Sequence, residues 1–485
     1  MTVWEEIASP IGPEPEPVIG LSVLNNTEVG NAEQLVTRHG RRLRYCGPWS
    51  KWLVYDGARW AKDRSGAPVR LQKETLRWAT ANANAILDDK PRVARLKFLL
   101  ESEREARIRA AIALAAPELP VMPEEFDLDP WILNLTNGTL DLRTVQLRRH
   151  RPDDLLTKLA PVTFDPEATA PHWESSLARW LQDDRLLQDY VQQIVGYSLT
   201  GDTREQLLFI LYGAGENGKS TFLRILLELL GDYAQQTPTA TFLDRRGDAI
   251  PNDLAALRGT RLVSAAESGE SRKLNEALVK QMTGGDRISA RFMRSEYFEF
   301  TPAFKPWLAT NHKPLIRGTD HAIWRRLRLI PFTARITPEE RDPELLDKLR
   351  LELPGILNWA LVGCLAWHGH GLQTPRSVED ATSAYRAEMD DVGRFLEDRC
   401  ELADGLTTTS VALFTAYNHW ASGNGEQALT QNAFSRRLSE RGLVHKRFTG
   451  GTRGWSGIGL GHRRRRNDAS GRNRESSAAE NGLSQ

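Results

Sequence analysis

Short apolar and aromatic pieces broken by glycine run through residues 26–92. The stretch WSKWLVYDGARW (Trp49–Trp60) predicts a strand pair around a turn at Asp56-Gly57. Residues 93–116 are rich in Ala, Leu, Arg and Glu and predict helix, while Ala116–Pro130, with four prolines, predicts a linker. Ile132–His150 predicts a hairpin or meander with its turn at Asn137-Gly138. From Trp173 to Leu199 the apolar spacing is helical, and Gly201 stands where a C-cap would end the run. Across 203–333 strand and helix signals alternate, which is an α/β pattern. Residues 338–372, with Pro354 at a helix start, and residues 376–400 predict further helix. Residues 405–460 predict two or three short helices and then a Gly-rich ribbon. Helix, turn, helix and a two-stranded wing is the order of a winged helix. No internal repeat is visible.

Composition narrows the class. The 485 residues suffice for several domains. No run of about 18 apolar residues is present, so no membrane span is expected. The N-terminal stretch MTVWEEIASPIGPEPEP is acidic and proline-rich and lacks the features of a secretory signal, so a cytoplasmic protein is expected. The three cysteines, Cys46, Cys364 and Cys400, lie far apart and suggest neither a zinc site nor a disulfide framework. The net charge of +1 hides an asymmetry: from Arg436 to Arg466 there are ten Lys/Arg against one acid, Glu440. That end could meet a polyanion or be a solvated basic tail.

The strongest chemical signal is LLFILYGAGENGKSTF. Leu207–Tyr212 predicts a strand and Thr221–Leu230 a helix stopped by Gly231. Between them Gly213, Ala214, Gly215, Glu216, Asn217, Gly218, Lys219 and Ser220 fit G-x-x-x-x-G-K-[ST] in the strand–loop–helix context that a P-loop requires, with Thr221 next in line. Glycines let backbone N–H groups converge on a phosphate at a helix N-terminus. Lys219 would reach the β- and γ-oxygens of ATP and Ser220 would ligate Mg2+. A P-loop enzyme also needs a carboxylate at the end of a neighbouring strand. RLVSAAE (Arg261–Glu267) supplies Glu267, expected to orient water and help hold Mg2+; because Ala266 precedes it, one acid would serve both roles.

Three more stretches carry a resemblance. KQMTGGDRISARFMRSEYFEFTPAFKPWLATNHKP (Lys280–Pro314) and GTDHAIWRRLRLIPF (Gly318–Phe332), with the P-loop and Glu267, closely resemble superfamily-three helicases. The nearest resemblance is to the helicase half of phage and plasmid primase-helicases of the satellite-phage type, related to the poxvirus primase-helicase. It is dense over 203–333 and extends through NGTLDLRT, VGYSLTGDTREQ, GNAEQLVTRHG and LVYDGARW to roughly residues 28–460. The resemblance implies that Ser289–Phe300 is a hairpin gripping DNA through Arg291 and Arg294. It implies that Asn311, ending the strand PWLATN, senses the γ-phosphate, and that Arg325 or Arg326 is an arginine finger acting on the neighbouring subunit's ATP. It covers no primase domain, and residues 1–200 contain no recognisable primase acid cluster.

The expected fold is therefore α/β: 1–25 a flexible leader, 26–130 an N-terminal accessory region, 131–202 a hairpin plus helical collar, 203–333 an AAA+-type ATPase core, 334–400 a helical region, 401–461 a winged-helix-like domain, and 462–485 a basic, polar, disordered tail. The winged helix is expected to put Arg436, Arg437 and Arg441 on or near its outer face and Lys446 and Arg447, with Arg453, on the wing, all against DNA phosphates. The expected function is ATP-dependent unwinding of replicating DNA by a homo-hexameric ring. Its partners would be single-stranded and forked DNA and a separate primase and polymerase. A bifunctional primase-helicase and an ATP-switched DNA-binding initiator stand as rivals. A packaging motor is disfavoured, since no nuclease-like acidic cluster follows the ATPase.

Overall fold

A computed structural model describes residues 25–244, 252–266, 272–291, 297–318, 321–448 and 450–461. The expected leader and basic tail thus lie outside the described residues, apart from Asn25. The chain divides into two units, Met1–Thr382 and Ser383–Gln485.

In the first unit, helix Glu28–His39 precedes strands β1 (Leu43–Cys46), β2 (Lys51–Tyr55) and β3 (Trp60–Lys62), an antiparallel sheet in that order. The turn at Asp56-Gly57 is present, and its Asp56 carboxylate accepts from the Ala58 and Arg59 amides at 2.9 and 2.8 Å. Strand β1 (LRYC) is too short, with Arg44 inside it, to read as apolar alternation. Helices Ala67–Ala83, Asp89–Ser102 and Glu105–Ala115 follow. The expected single helix over 93–116 is thus two, parted at Glu103 and Arg104. Next come β4 (Ile132–Leu135), β5 (Gly138–Asp141) and β6 (Gln146–Arg148) as a meander. Leu135 pairs with Gly138, so the tight turn is Thr136-Asn137 and Gly138 already belongs to the strand; the turn falls one position earlier than expected.

The helical run before the core is also two helices, Pro171–Trp180 and Arg185–Leu199. Gln182 and Asp183, both left-handed at φ 53° and 58°, turn the chain between them. Nor does Gly201 act as the C-cap. The helix is closed by Thr200 in an extended conformation, and Gly201 is instead needed where the chain meets Pro130: a Cβ there would lie 2.9 Å from the Pro130 Cβ.

The core sheet consists of β7 (Leu208–Tyr212), β8 (Ala234–Gln236), β9 (Leu262–Ala266), β12 (Lys305–Thr310) and β13 (Leu327–Pro331), ordered β13-β7-β12-β9-β8 and parallel throughout. Between β9 and β12 in the chain lies the antiparallel pair β10 (Ile288–Ala290) and β11 (Phe298–Phe300). The central strands are buried almost end to end, which is why they read as continuous apolar runs. Pro306 is tolerated in a central strand because pairing of β12 with β7 starts only at Trp307.

Two buried cations tie the helix Arg185–Leu199 to the start of this sheet. Arg261 donates to the Leu199 carbonyl at 2.7 Å and the Ile132 carbonyl at 2.6 Å. The Lys305 Nζ donates to the Thr200 carbonyl and, at 3.2 Å, to that of Asp202. Carbonyls at a helix C-terminus are unsatisfied and carry partial negative charge, so they suit cations. Burial pushes both side chains below their ordinary pKa, Lys305 well below. Helix Leu353–His370, with Pro354 in its first turn, packs its Ile356, Leu357, Ala360, Leu361 and Trp367 into the same core. Among the described residues no single helix is long and apolar enough to cross a membrane.

The second unit has its own core. Helix Asp391–Arg399 leads into β14 (Cys400–Thr409), helices Ser410–Gly423 and Gln431–Glu440, then β15 (Val444–Arg447) and β16 (Arg453–Leu460). The sheet order is β14-β16-β15. Phe395, Tyr417, Trp420, Phe434 and Leu438 are buried together. Phe395 therefore brings its helix into this unit, ahead of the start expected at residue 401. Strand β14 is not legible in the sequence because its alternation is polar: most of ELADGLTTT is exposed.

Candidate functional site

Strand β7 runs directly into the loop Gly213–Gly218 and then into helix Lys219–Leu230. Gly218 precedes that helix in a left-handed conformation (φ 86°), with no side chain capping the first N–H groups. The helix N-terminus is thus left to an external acceptor. Glycine is required twice for space. A Cβ on Gly213 would collide with the Phe332 carbonyl and the Asn217 amide, and one on Gly218 with the Trp180 indole. Trp180 itself is held by Trp173, which stacks on Phe222 of the same helix as Lys219 at 5.5 Å. The loop is therefore pressed between the helix Pro171–Trp180 and the end of β13.

Lys219 is 5% exposed. Its Nζ donates to the Gly213 carbonyl at 2.8 Å, to the Asn217 Oδ1 at 2.9 Å and to the Asn311 Oδ1 at 3.1 Å. Burial pushes its pKa down to about 8. Asn311 follows β12, whose Thr310 pairs with Tyr212 of β7, so adjacent parallel strands deliver Lys219 and Asn311 to the same sheet edge. Ser220 is exposed in the first turn and Thr221 half-buried behind it. Ala214 and Gly215 form the rim. Glu216, a residue of the expected cradle, turns its side chain outward onto Arg341, while its carbonyl accepts from the Ile336 amide at 2.9 Å. A carboxylate beside a phosphate would be repelled, and Arg341 supplies the opposite charge. Trp180, Phe332 and Arg341 are not legible as site residues in the sequence, because each acts from a distant segment. Strand β9 ends at Ala266, which pairs with Ala309 of β12; Glu267 lies outside the described residues.

The arginine pair separates cleanly. Arg325 is exposed and donates to the Gln206 side chain at 2.9 Å. Arg326 is 9% exposed and turns inward, donating to the Ala322 carbonyl at 2.6 Å. In the β10/β11 pair, Arg291 is exposed with its guanidinium 4.9 Å from the Tyr297 ring centre, and Arg294 lies outside the described residues.

In the second unit one expected DNA contact, Arg437, proves to be internal, and a second, Arg441, is tied to an acid. Arg437 is buried and ion-paired with Asp391, whose other oxygen accepts from Tyr417 at 2.5 Å. Arg441 pairs with Asp390. The helix Gln431–Glu440 turns Arg437 inward with Phe434 and Leu438, so that arginine is not presented outward as the spacing suggests, while Arg441, just past the helix, is half-buried. Arg436, Lys446, Arg447 and Arg453 are exposed.

Two expected results follow. Gly218→Ala should abolish nucleotide binding in titrations with a fluorescent ATP analogue, since its methyl meets both the left-handed backbone and the Trp180 ring; retained affinity would refute this packing. Arg437→Ala should destabilise the second unit by about 3–5 kcal/mol, the usual cost of orphaning one partner of a buried pair. Chemical denaturation checks this, and a change within error would show that the pair contributes nothing.

A model described as "D5 N terminal like" matches residues 32–182, and a family of unknown function (DUF5906) matches residues 211–326. The chain is 26% identical over 330 residues to a protein of Acanthamoeba polyphaga mimivirus named as a candidate helicase, covering 63% of this chain and 34% of that one. A protein of Frog virus 3, also named as a candidate helicase, is 26% identical over 420 residues, covering 68% and 43%. A candidate primase of African swine fever virus is 26% identical over 333 residues, covering 62% and 34%. The chain thus spans about a third to two fifths of the length of these curated relatives. Among solved structures, the apo form of the NrS-1 C-terminal region shares the fold, with a TM-score of 0.50 at 10% identity, covering 90% of this chain and 100% of that one. Taken with the sequence motifs, these matches make the chain similar to viral proteins named as candidate helicases and primases and to the fold of the NrS-1 C-terminal region.

Proposed function

We propose that this chain is an ATP-dependent DNA helicase that works as a hexameric ring in phage, prophage or plasmid replication, in a bacterial host's cytoplasm. The observation that carries the reading is the Lys219 ammonium. It is buried at an uncapped helix N-terminus, within hydrogen-bonding distance of a loop carbonyl and of Asn311 from the adjacent strand. The residues fit a nucleoside triphosphate with its metal. The glycine loop leaves room for phosphate and the helix end offers N–H donors. Few protein ligands are needed, because Mg2+ in such sites is held largely by phosphates and water. Ser220 and Glu267 are the proposed Mg2+ ligands, and the ion supplies neutralisation of phosphate charge.

Within that reading Lys219 stabilises charge on the transferring phosphoryl group, Glu267 polarises the attacking water and Asn311 orients it. Arg325, exposed and outside its own cradle, is the finger that reaches the neighbouring subunit. Arg326 holds the backbone from which Arg325 projects. Arg291 and Arg294 grip the single strand in the ring. The second unit's order of helix, strand, two helices and two-stranded ribbon supports a winged helix, with Arg436, Lys446, Arg447 and Arg453 meeting forked or duplex DNA. A separate primase and polymerase would complete the replication machinery.

Strand displacement on forked DNA with ATP tests the reading. Unwinding that requires turnover supports it. ATP-dependent DNA binding without any displacement would favour the initiator instead, and primer synthesis from labelled nucleotides would favour a primase-helicase. For the second unit, Arg447→Ala with Arg453→Ala should lower the slope of log affinity against log salt by about 0.9 for each phosphate that is no longer neutralised. An unchanged slope would exclude the ribbon from the DNA interface.

A further inference from the structure

The segment after β13 grips the phosphate loop at three points. The Phe332 carbonyl accepts from the Asn217 Nδ2 at 2.7 Å, the Ile336 amide donates to the Glu216 carbonyl at 2.9 Å, and Arg341 pairs with the Glu216 carboxylate. Of the three, only the first continues into the site. Asn217 is 3% exposed. Its amide is oriented by both neighbours: nitrogen toward a carbonyl, oxygen toward the Lys219 ammonium at 2.9 Å. The chain of contacts runs from Phe332 through Asn217 and Lys219 to Asn311. It therefore joins the ends of β13, β7 and β12, three adjacent strands of the sheet. At the opposite end of β13 the Arg326 carbonyl is bonded to the Leu208 amide at 2.7 Å, one residue from Arg325.

We infer that Asn217 is a positioning residue that parks Lys219 against Asn311 when no triphosphate is present and keeps the lysine registered to β13 when one arrives. The inference rests on the ATP-site reading above. The physical reason is a difference in acceptor strength. Amide and carbonyl oxygens hold an ammonium group less strongly than anionic phosphate oxygens do. An arriving triphosphate therefore draws Lys219 from Asn311 and frees the Asn311 amide for the water. The Asn217–Phe332 bond does not involve the phosphates, so it persists and fixes how far Lys219 can travel. Because Phe332 directly follows the strand that begins just beyond Arg325, the contact that positions the lysine and the finger flank one strand.

The test uses the full-length protein at one fixed pH. Lys219 is acylated with an amine reagent, its labelling is followed by peptide mass mapping, and melting is recorded in parallel. In the wild type, MgATP should protect Lys219; absence of protection would overturn the ATP-site reading itself. Without nucleotide, Asn217→Ala should label roughly three- to tenfold faster, as loss of one hydrogen bond to the ammonium allows. Asn217→Asp keeps an oxygen for Lys219 and should return labelling to the wild-type rate or below. In turnover, the Asn217→Ala protein should lose about tenfold in kcat with less than about a threefold change in KM, the pattern of an interaction that matters in the transition state. Labelling of Asn217→Ala at the wild-type rate, with MgATP protection of the wild type intact, would overturn the positioning role alone. If the alanine protein melts below the assay temperature, Asn217→Ser, too short to reach both partners, is read against the same thresholds.

Discussion

Lys219→Ala should lower ATP hydrolysis by at least about a hundredfold and abolish strand displacement, while the protein still folds. The magnitude follows from removing a preorganised cation from a site where charge builds up in the transition state. Folding should survive because the substitution removes a buried ammonium whose burial already works against its charge. Of its partners, the Gly213 carbonyl and Asn217 are buried but Asn311 is exposed, so water can enter from that side once the side chain is gone. Steady-state phosphate release, strand displacement and a thermal melt together check the outcome. Turnover near the wild-type rate would remove Lys219 from the chemistry and the phosphate-cradle assignment with it.

Arg325→Ala should leave ATP binding nearly intact and cut hydrolysis by about 10³-fold or more, the lower end of what an arginine finger supplies. The residue is exposed and its bond to Gln206 is to a neutral side chain, so it can be released at little cost. Arg326→Ala should behave differently. That guanidinium is buried on the Ala322 carbonyl, so its loss should lower the melting temperature before it alters catalysis. The decisive measurement mixes Arg325→Ala with Lys219→Ala subunits. An interface that combines an intact cradle with an intact finger should restore part of the activity. No recovery in rings shown to contain both subunits would mean that the site is not shared.

Local regularities explain what can be read without a structure. The phosphate loop is legible because its chemistry is contiguous: an apolar strand, two glycines where no Cβ fits, a lysine and an amphipathic helix follow one another without interruption. The core strands are legible because their buried centres are apolar, as in LFILY and in the WLA of the strand that Lys305 opens. Elements whose burial is one-sided or slight are not. The arginine-bearing β1 and the exposed β14 carry little hydrophobic pattern, and the left-handed pair Gln182-Asp183 breaks a helix at residues with no turn signature strong enough to announce it.

The sequence by itself supplied the proposed class of chemistry, since residue type and spacing along one short segment carry the pattern expected of a phosphate cradle. It also determined which residues compete for each role, Arg325 with Arg326 and the arginines of the C-terminal helix with one another. Only the tertiary structure separates them by exposure and partners. Arg437 points inward because Asp391, from another helix of its unit, accepts from it there, while Arg326 is buried on the carbonyl of Ala322, one turn earlier in its own segment. Arg325 and Arg436 remain outside. The alignment of Lys219, Asn217 and Asn311 likewise depends on β7, β12 and β13 being neighbours, an arrangement that their order along the chain does not reveal. A charged side chain's role depends on which groups surround it, and those groups come from segments that meet only when the sheet forms.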